Sequence, residues 1–199
     1  MSLLVETIKV ENGTLINVGF HNERMIRSLF ELFGLRKEPD LEKIINIPVF
    51  AGKGVSKCRV EYDDKTTKIE FLPYIIRSVR SLKLIMDDNI SYPFKFIKRD
   101  NIHRLMEMRG DCDDILIIKK GMVTDSSYAN VVFKDLNGNW VTPSTYLLPG
   151  TRRAGLLQQD LIQETNISFR DINKYSEVKL INAMLGIDDT NGIPVGRLV

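Results

Sequence analysis

Three features of the sequence predict an α+β protein with two lobes. Two runs rich in β-branched residues, Leu3–Val10 and Thr14–Phe20, flank Asn12-Gly13, a dipeptide that favours a tight hairpin. Apolar residues at helical spacing follow this pair, and Gly34 ends their pattern as a C-terminal glycine would. Around Asp87-Asp88-Asn89 the apolar pattern lapses, as it does between lobes. Strands followed by helices over short connections favour an α+β layer over a parallel doubly wound sheet.

The first predicted lobe is residues 1–90, a small α+β unit. One helix starting near Asn22 is predicted to cover the opening hairpin, because its apolar residues recur every three or four positions. The other elements predicted for this lobe are a short helix over Asp40–Ile47 before Pro48, a loop over residues 50–54, and paired strands Ser56–Tyr62 and Thr67–Tyr74.

The second predicted lobe is residues 91–199, the larger of the two. Its predicted elements are an extended piece over Tyr92–Ile97, a helix over Asn101–Arg109, a buried strand Ile115–Ile118 turned back at Lys120-Gly121, a hairpin of Val131–Lys134 with Trp140–Thr142, a helix opening at Pro149-Gly150-Thr151, and a last apolar segment Val178–Met184.

Composition excludes several classes of partner and site. The chain has 199 residues, and 28 Lys and Arg against 26 Asp and Glu give a net charge of +2, too small a surplus to predict binding to nucleic acid or an anionic membrane. Cys58 and Cys112 form no CxxC or Cys/His cluster, so neither a zinc site nor a disulfide framework is predicted. Glu6 and Lys9 interrupt the apolar start, which predicts neither a signal peptide nor an anchor and favours the cytoplasm.

Four short segments could carry chemistry, and each also has an ordinary structural interpretation. Lys95 lies among aromatic and aliphatic neighbours that could lower its pKa, or it is a strand lysine snorkelling past them. Gly150-Thr151-Arg152-Arg153 could bind a phosphate at a helix start, or it serves capping and solvation. Asp125 could be a turn residue that bonds its own backbone, and His21 and Arg24 could be surface residues of a first helical turn.

The order of these segments resembles the class IV, or fold type IV, pyridoxal-phosphate enzymes. The small lobe contributes Glu6–Val10 and His21–Arg24, and the second phosphate-side loop is Ile181–Leu185. The strongest stretch runs in family order through Lys95–Arg99, Asp113–Leu116, Gly121–Asp125, Ala129–Phe133, Trp140–Pro143 and Leu147–Arg153. The resemblance implies the two-lobe fold of this family, to which D-amino acid aminotransferase belongs, here with a shortened N-terminus and with the larger lobe as the cofactor-binding one.

The resemblance also implies the cofactor, pyridoxal 5'-phosphate, and a role for each matching residue. Lys95 would form the Schiff base with the cofactor aldehyde and then act as the base at the substrate α-carbon. Asp125 would keep the pyridine nitrogen protonated, with Asn130 supporting it from behind. Arg24 and a set of backbone amides would hold the phosphate dianion. Those amides belong to Thr151, Arg152, Asn182 and Ala183.

Three departures from the family pattern bear on the reaction. Position 125 is aspartate where the family usually has glutamate, one methylene longer. The resemblance leads us to expect a small lobe without the leading hairpin and arm that longer relatives have before the strand matching Glu6–Val10. Asp100, preceded by Arg99, stands where the branched-chain aminotransferases carry a tyrosine, and this arrangement, like Trp140–Pro143 and Leu147–Thr151, resembles the lyase branch.

The resemblance therefore favours a 4-amino-4-deoxychorismate lyase, which makes 4-aminobenzoate and pyruvate by β-elimination during folate synthesis. One alternative is an aminotransferase acting on branched-chain or D-amino acids, and another is a non-catalytic cofactor-binding protein. The family resemblance also implies a homodimer, a small amino-substituted carboxylic acid as substrate and a functional link to aminodeoxychorismate synthase.

Overall fold

The computed structural model describes residues 3–199, and these divide into two compact units. The first unit holds the described residues up to Ile76 together with Phe94–Lys98, and the second holds Arg77–Pro93 together with Arg99–Val199. The units do not follow the predicted boundary at residue 90. Strand β5 (Leu82–Met86) pairs in parallel with a strand of the second unit, whereas the Phe94–Lys98 segment returns to the first.

The first unit is a four-stranded antiparallel sheet packed on one long helix. The strands lie in the order β2-β1-β3-β4, and apolar side chains of β1, β3 and the helix form one core. The elements are β1 (Leu4–Glu11), β2 (Thr14–Leu15), α1 (Val18–Phe33), α2 (Leu41–Ile44), a 3-10 turn (Val49–Ala51), β3 (Val55–Tyr62) and β4 (Thr67–Pro73).

Local sequence explains the turns of this unit. Asn12 and Gly13 have φ values of 48° and 81°, the left-handed conformations that a tight hairpin requires. Helix α1 ends at Gly34, whose φ is 68° and whose amide donates to the Phe30 carbonyl. The side chain of Asp63 accepts the amides of Lys65 and Thr66 at 2.8 and 2.7 Å, which closes the turn between β3 and β4.

The strand predicted over Thr14–Phe20 is wrong beyond its second residue. Strand β2 stops at Leu15, and helix α1 begins at Val18, four residues before the predicted Asn22. Val18, Met25 and Leu29 are all buried at helical spacing, so burial of one helical face outweighs the β-branched character of the run.

The second unit is a curled mixed sheet with two helices. Its main path runs in the order β10-β9-β8-β7-β6-β5, and β11 pairs with β8 and with β12. Most neighbours are antiparallel, while β5-β6 and β9-β10 are parallel. The further elements are α3 (Asp100–Glu107), β6 (Asp114–Lys119), β7 (Met122–Ser126), β8 (Asn130–Asp135), β9 (Trp140–Pro143), α4 (Thr151–Gln158), β10 (Gln163–Thr165), β11 (Tyr175–Ile181) and β12 (Ile193–Pro194), with 3-10 turns at Phe169–Lys174 and Val195–Arg197.

Most predictions for this part of the chain are confirmed. Helices α3 and α4, strand β6 and the β8-β9 hairpin lie where the periodicity and turn residues place them. The short strands β5, β10 and β12 were not predicted. Among residues 3–199, no helix combines the length and apolar character needed to cross a bilayer.

Candidate active site

The predicted site residue Arg24 lies in the first two turns of helix α1, together with His21 and beside Glu6 of strand β1. Glu6 is fully buried on β1, and His21 and Arg24 are buried three residues apart on one face of α1. Arg24 donates from Nε to Glu6 Oε1 at 2.9 Å and from Nη2 to Oε2 at 2.5 Å. His21 Nδ1 lies 2.5 Å from Glu6 Oε2. Because an ionised carboxylate can accept but not donate, the histidine carries its proton at Nδ1.

Within this buried group, the Glu6 carboxylate and the Arg24 guanidinium are both ionised. Burial alone would raise the pKa of Glu6, but the charge of Arg24 and the hydrogen bond with His21 outweigh it and lower the pKa to about 2. Burial lowers the pKa of His21, although its bond to Glu6 opposes the shift. The group therefore presents an aligned guanidinium beside a neutral imidazole.

Lys95 lies in the same unit, on the segment that runs beside the start of β1. The Lys95 carbonyl accepts the Val5 amide at 2.9 Å, and the Ile97 amide donates to the Leu3 carbonyl at 2.9 Å. Lys95 is half-buried and lies in sequence between Phe94 and Phe96, whose rings contact each other edge to face. Its charge contributes to lowering the pKa of His21. The structure thus brings Lys95 into electrostatic range of the Glu6 group.

The second group of predicted site residues centres on the Asp125 carboxylate of strand β7. Asp125 is buried, and its Oδ1 accepts the side-chain amide of Asn130 at 2.8 Å. Its Oδ2 accepts the backbone amides of Leu147 at 2.9 Å and Leu148 at 3.0 Å. Burial raises the pKa of Asp125 to about 6, and these three donors lower it by less than burial raises it.

Asn130 connects this carboxylate to the loop before helix α4. Its Nδ2 donates a second bond to the Leu148 carbonyl at 3.0 Å, so both of its N–H bonds are used within the protein. A Cβ atom on Gly150 would lie within 3.0 Å of Asn130 Cγ and closer still to Oδ1. Only glycine at 150 lets the loop approach Asn130 in this way.

Helix α4 begins directly after that glycine. Gly150 is its N-cap and supplies no side-chain cap, and the first bond within the helix runs from the Ala154 amide to the Gly150 carbonyl at 3.0 Å. The amides of Thr151 and Arg152 precede that bond, so the helix does not use them itself. Their dipole end is suited to an anion. Arg153 has a different role, since Nη2 donates to the Pro143 carbonyl at 2.9 Å and to Glu164.

Asn182 and Ala183 follow strand β11, where Ile181 pairs with Asn130. The Asn182 amide donates to the Leu185 carbonyl at 3.1 Å, and its side chain accepts the Met184 amide at 2.9 Å. The phosphate bond expected from the Asn182 amide is therefore replaced by a bond that shapes this loop. Asn182 holds the turn on which Ala183 is presented.

Sequence reasoning missed the partners of these residues more than the residues themselves. Glu6 was noted as part of a motif and as an interruption of the apolar start, but not as a partner of Arg24, although a glutamate inside an apolar strand signals a buried charge that needs a cation. The Leu147 and Leu148 amides had no such signal, because backbone donors do not depend on residue type.

A cavity of about 480 Å³ also lies in the second unit, with Leu147, Thr145 and Tyr146 in its wall.

Comparison with known proteins identifies the family. Residues 91–189 match the profile described as Amino-transferase class IV. An uncharacterized protein of Haemophilus influenzae is 39% identical over 186 residues, 92% of this chain and 98% of that protein. A crystal structure from Haemophilus somnus 129PT, provisionally named a 4-amino-4-deoxychorismate lyase, is 35% identical with a TM-score of 0.88, over 94% of this chain and 98% of that one. The chain belongs to the class IV aminotransferases.

Fold and cofactor follow from membership of this class. A hypothetical aminotransferase from Mycobacterium tuberculosis, solved with pyridoxal 5'-phosphate bound, shares the fold at a TM-score of 0.76 and 17% identity, over 99% of this chain and 81% of that one. Class IV aminotransferases use this cofactor, so the chain is a pyridoxal-phosphate-dependent enzyme. The predicted family, fold and cofactor are confirmed, and the non-catalytic alternative is set aside.

The residues present fit this cofactor. A carboxylate offers about four lone-pair sites, and Asp125 uses three, which leaves Oδ1 able to accept one further N–H, such as that of a protonated pyridine. The start of α4 offers backbone donors suited to a phosphate, and Lys95 offers a primary amine.

Proposed function

We propose that this class IV aminotransferase is a 4-amino-4-deoxychorismate lyase, which converts its substrate to 4-aminobenzoate and pyruvate. The observation that carries the proposal is the 35% identity, over nearly the whole of both chains, to the provisionally named lyase of H. somnus. Asp100 and Arg99 after the lysine support the same branch. The proposal places the protein in the cytoplasm, in folate synthesis, downstream of an aminodeoxychorismate synthase.

We assign the catalytic role to Lys95, whose amine would hold the cofactor through its aldehyde and, once displaced by the substrate amine, would move protons. When bound, pyridoxal 5'-phosphate supplies an electron sink for the pair left on the carbon that carries the amino group. Lys95 takes the proton from that carbon, and the adjacent carbon–oxygen bond breaks. The products are 4-aminobenzoate and the enol of pyruvate, which becomes pyruvate by moving one proton. Neither water nor an amino acceptor is consumed.

The other proposed site residues bind and orient the cofactor and take no part in the proton transfer. Arg24 donates to the phosphate dianion while Glu6 and His21 fix the direction of its guanidinium. The amides of Thr151, Arg152 and Ala183 are proposed as further phosphate donors, with Asn182 shaping its loop. Asp125 would accept a hydrogen bond from the protonated ring nitrogen, and Asn130 donates to that carboxylate.

Product analysis tests the reaction. The purified enzyme should release 4-aminobenzoate and pyruvate in equal amounts without any keto acid present. Lys95→Ala should abolish release, while Lys65→Ala, an exposed turn lysine, should leave it unchanged. Amino transfer that depends on a keto acid, with no 4-aminobenzoate formed, would instead establish the aminotransferase alternative on branched-chain or D-amino acids.

The attachment site and assembly have tests of their own. Borohydride reduction followed by peptide mass spectrometry should place the pyridoxyl group on Lys95 and leave neighbouring Lys98 unlabelled. Labelling at another lysine would refute the assignment. Sedimentation velocity should give the mass of two 22.8 kDa chains, because we also propose a homodimer. A monomer that releases product would remove the dimer from the proposal.

A further inference from the structure

Asn130 has three contacts that together tie two parts of the second unit. Its Nδ2 reaches Asp125 Oδ1 at 2.8 Å and the Leu148 carbonyl at 3.0 Å, and its Oδ1 faces the α-carbon of Gly150. We propose that Asn130 is the positioning residue of the cofactor site, because one amide group fixes the Asp125 carboxylate and the loop that opens α4, with Gly150 permitting the approach. The inference rests on the proposed cofactor contacts of Asp125 and α4.

Four hydrogen bonds link Asp125, Asn130 and the Leu147-Leu148 backbone. Asp125 and Asn130 are directly paired across strands β7 and β8, so both side chains are set by the sheet. Asp125 Oδ2 accepts the Leu147 and Leu148 amides at 2.9 and 3.0 Å, which draws the loop onto the carboxylate. Asn130 then holds the Leu148 carbonyl from the same side. The loop cannot shift without breaking at least one of these bonds.

The residue types at 130 and 150 fit each other. Asparagine supplies two N–H donors at one atom, which matches two acceptors, the Asp125 carboxylate and the Leu148 carbonyl. Aspartate at 130 would offer no donor and would add a second buried negative charge beside the first. A side chain at Gly150 would strike the Asn130 amide oxygen, so it would displace the very group that holds Asp125.

Through these contacts, Asn130 positions the groups proposed to bind the ring nitrogen and the phosphate of the cofactor. The ring-nitrogen acceptor, Asp125, and the phosphate donors at Thr151 and Arg152 are joined through Leu147–Gly150. Asn130 also helps hold Asp125 ionised, because its bond lowers a pKa that burial raises. Loss of Asn130 should therefore alter the carboxylate and the cofactor grip together.

Titration of the cofactor-free protein tests the hold on Asp125. Carbon-13 spectra of aspartate-labelled protein, with Asp125→Asn used to assign the resonance, should place the Asp125 midpoint about one pH unit or more higher in Asn130→Ala than in the wild type. The matched control is Asn139→Ala, since Asn139 donates to Asp135 at 3.1 Å in the exposed β8-β9 hairpin. An Asp125 midpoint that Asn130→Ala leaves unchanged would overturn the proposal.

Cofactor affinity, measured by fluorescence titration of the full chain, tests the link to Gly150. Asn130→Ala and Gly150→Ala should each weaken binding about tenfold or more, but Gly150→Ala should cost little in the Asn130→Ala background, where the opposing amide is gone. Losses that simply multiply in the double variant would refute the pairing. If Asn130→Ala fails to fold, the Asp125 midpoint in Gly150→Ala provides the same test, because the added Cβ displaces Asn130.

The same experiments separate this inference from the proposed function. A raised Asp125 midpoint in Asn130→Ala, with cofactor affinity unaffected in both Asn130→Ala and Asp125→Asn, would support the hold on Asp125 and overturn the proposed contact between Asp125 and the cofactor.

Discussion

Replacing Glu6 with glutamine should destabilise the cofactor-free protein by several kcal/mol near neutral pH. Glu6 is fully buried and bonded to Arg24 and His21, so glutamine leaves a buried guanidinium without its carboxylate. Breaking one partner of a buried ion pair costs about 3–5 kcal/mol. Glutamine preserves the shape of the side chain, which attributes the loss to charge and hydrogen bonding.

The pH dependence of stability gives a second magnitude for the contribution of Glu6 to the free energy of unfolding. The pKa of Glu6 falls from 4.5 to about 2 on folding, which at about 1.4 kcal/mol per pH unit corresponds to about 3 kcal/mol. Because the folded-state pKa is the lower one, this stability is present above about pH 4.5 and is lost as the pH falls towards 2. The difference between wild type and Glu6→Gln should therefore shrink over that range.

Urea unfolding followed by far-UV circular dichroism measures both quantities. Glu61→Gln is the matched control, since Glu61 lies half-buried on β3 and bonds Arg59 at 2.8 Å, a pair worth about 0–1 kcal/mol. Adding Arg24→Met to Glu6→Gln should recover part of the loss, because no buried charge then remains unpaired. A Glu6→Gln protein within 1 kcal/mol of wild type at pH 7, or a difference that is the same at pH 7 and pH 3, would refute the reasoning.

Three further outcomes are expected. The pKa of Asp125 rises from 3.8 to about 6 on folding, so the folded state binds the carboxyl proton more tightly than the unfolded state does. About 3 kcal/mol of stability is therefore lost as the pH rises from about 4 to 6. Asp125→Asn should remove this pH dependence from the free energy of unfolding measured in urea. Cys58 is fully buried, and burial raises its pKa to about 11, so a thiol reagent should label Cys112 in the native protein and both cysteines in urea. Arg24→Lys should weaken cofactor binding about tenfold or more in a fluorescence titration, because lysine cannot reproduce the two bonds to Glu6 that aim the guanidinium.

Much of the fold could be predicted because local signals and tertiary burial agree. The hairpin turn at residues 12–13 and the end of helix α1 both require positive φ angles, and the sequence has Asn12, Gly13 and Gly34 there, which tolerate them. The Val18 region shows the opposite case, since its β-branched residues favour a strand while its burial spacing favours a helix. The unit boundary could not be predicted, because the pairing of β5 with β6 and the return of Phe94–Lys98 are contacts between distant parts of the sequence.

Predictability of the site depends on whether a side chain carries the function. Lys95 and Arg24 could be proposed because a family motif specifies their residue types, and Asp125 because the motif places a carboxylate, usually glutamate, at that position. The partners that set their chemistry are less visible. Glu6 gives a weak signal as a charge in an apolar strand, and the amides of Leu147 and Leu148 give none.

The aspartate at position 125 is best understood together with the loop that meets it. Glutamate would extend the carboxylate by one methylene, into space that the Leu147 and Leu148 amides occupy at 2.9 and 3.0 Å from Oδ2. The shorter aspartate fits because the backbone of residues 147–148 lies close to its carboxylate. The loop can approach this closely because Gly150 has no side chain to clash with Asn130. The residue type at position 125 and the backbone path of residues 147–150 therefore depend on each other. A substitution at position 125 alone would leave a loop that is shaped for aspartate.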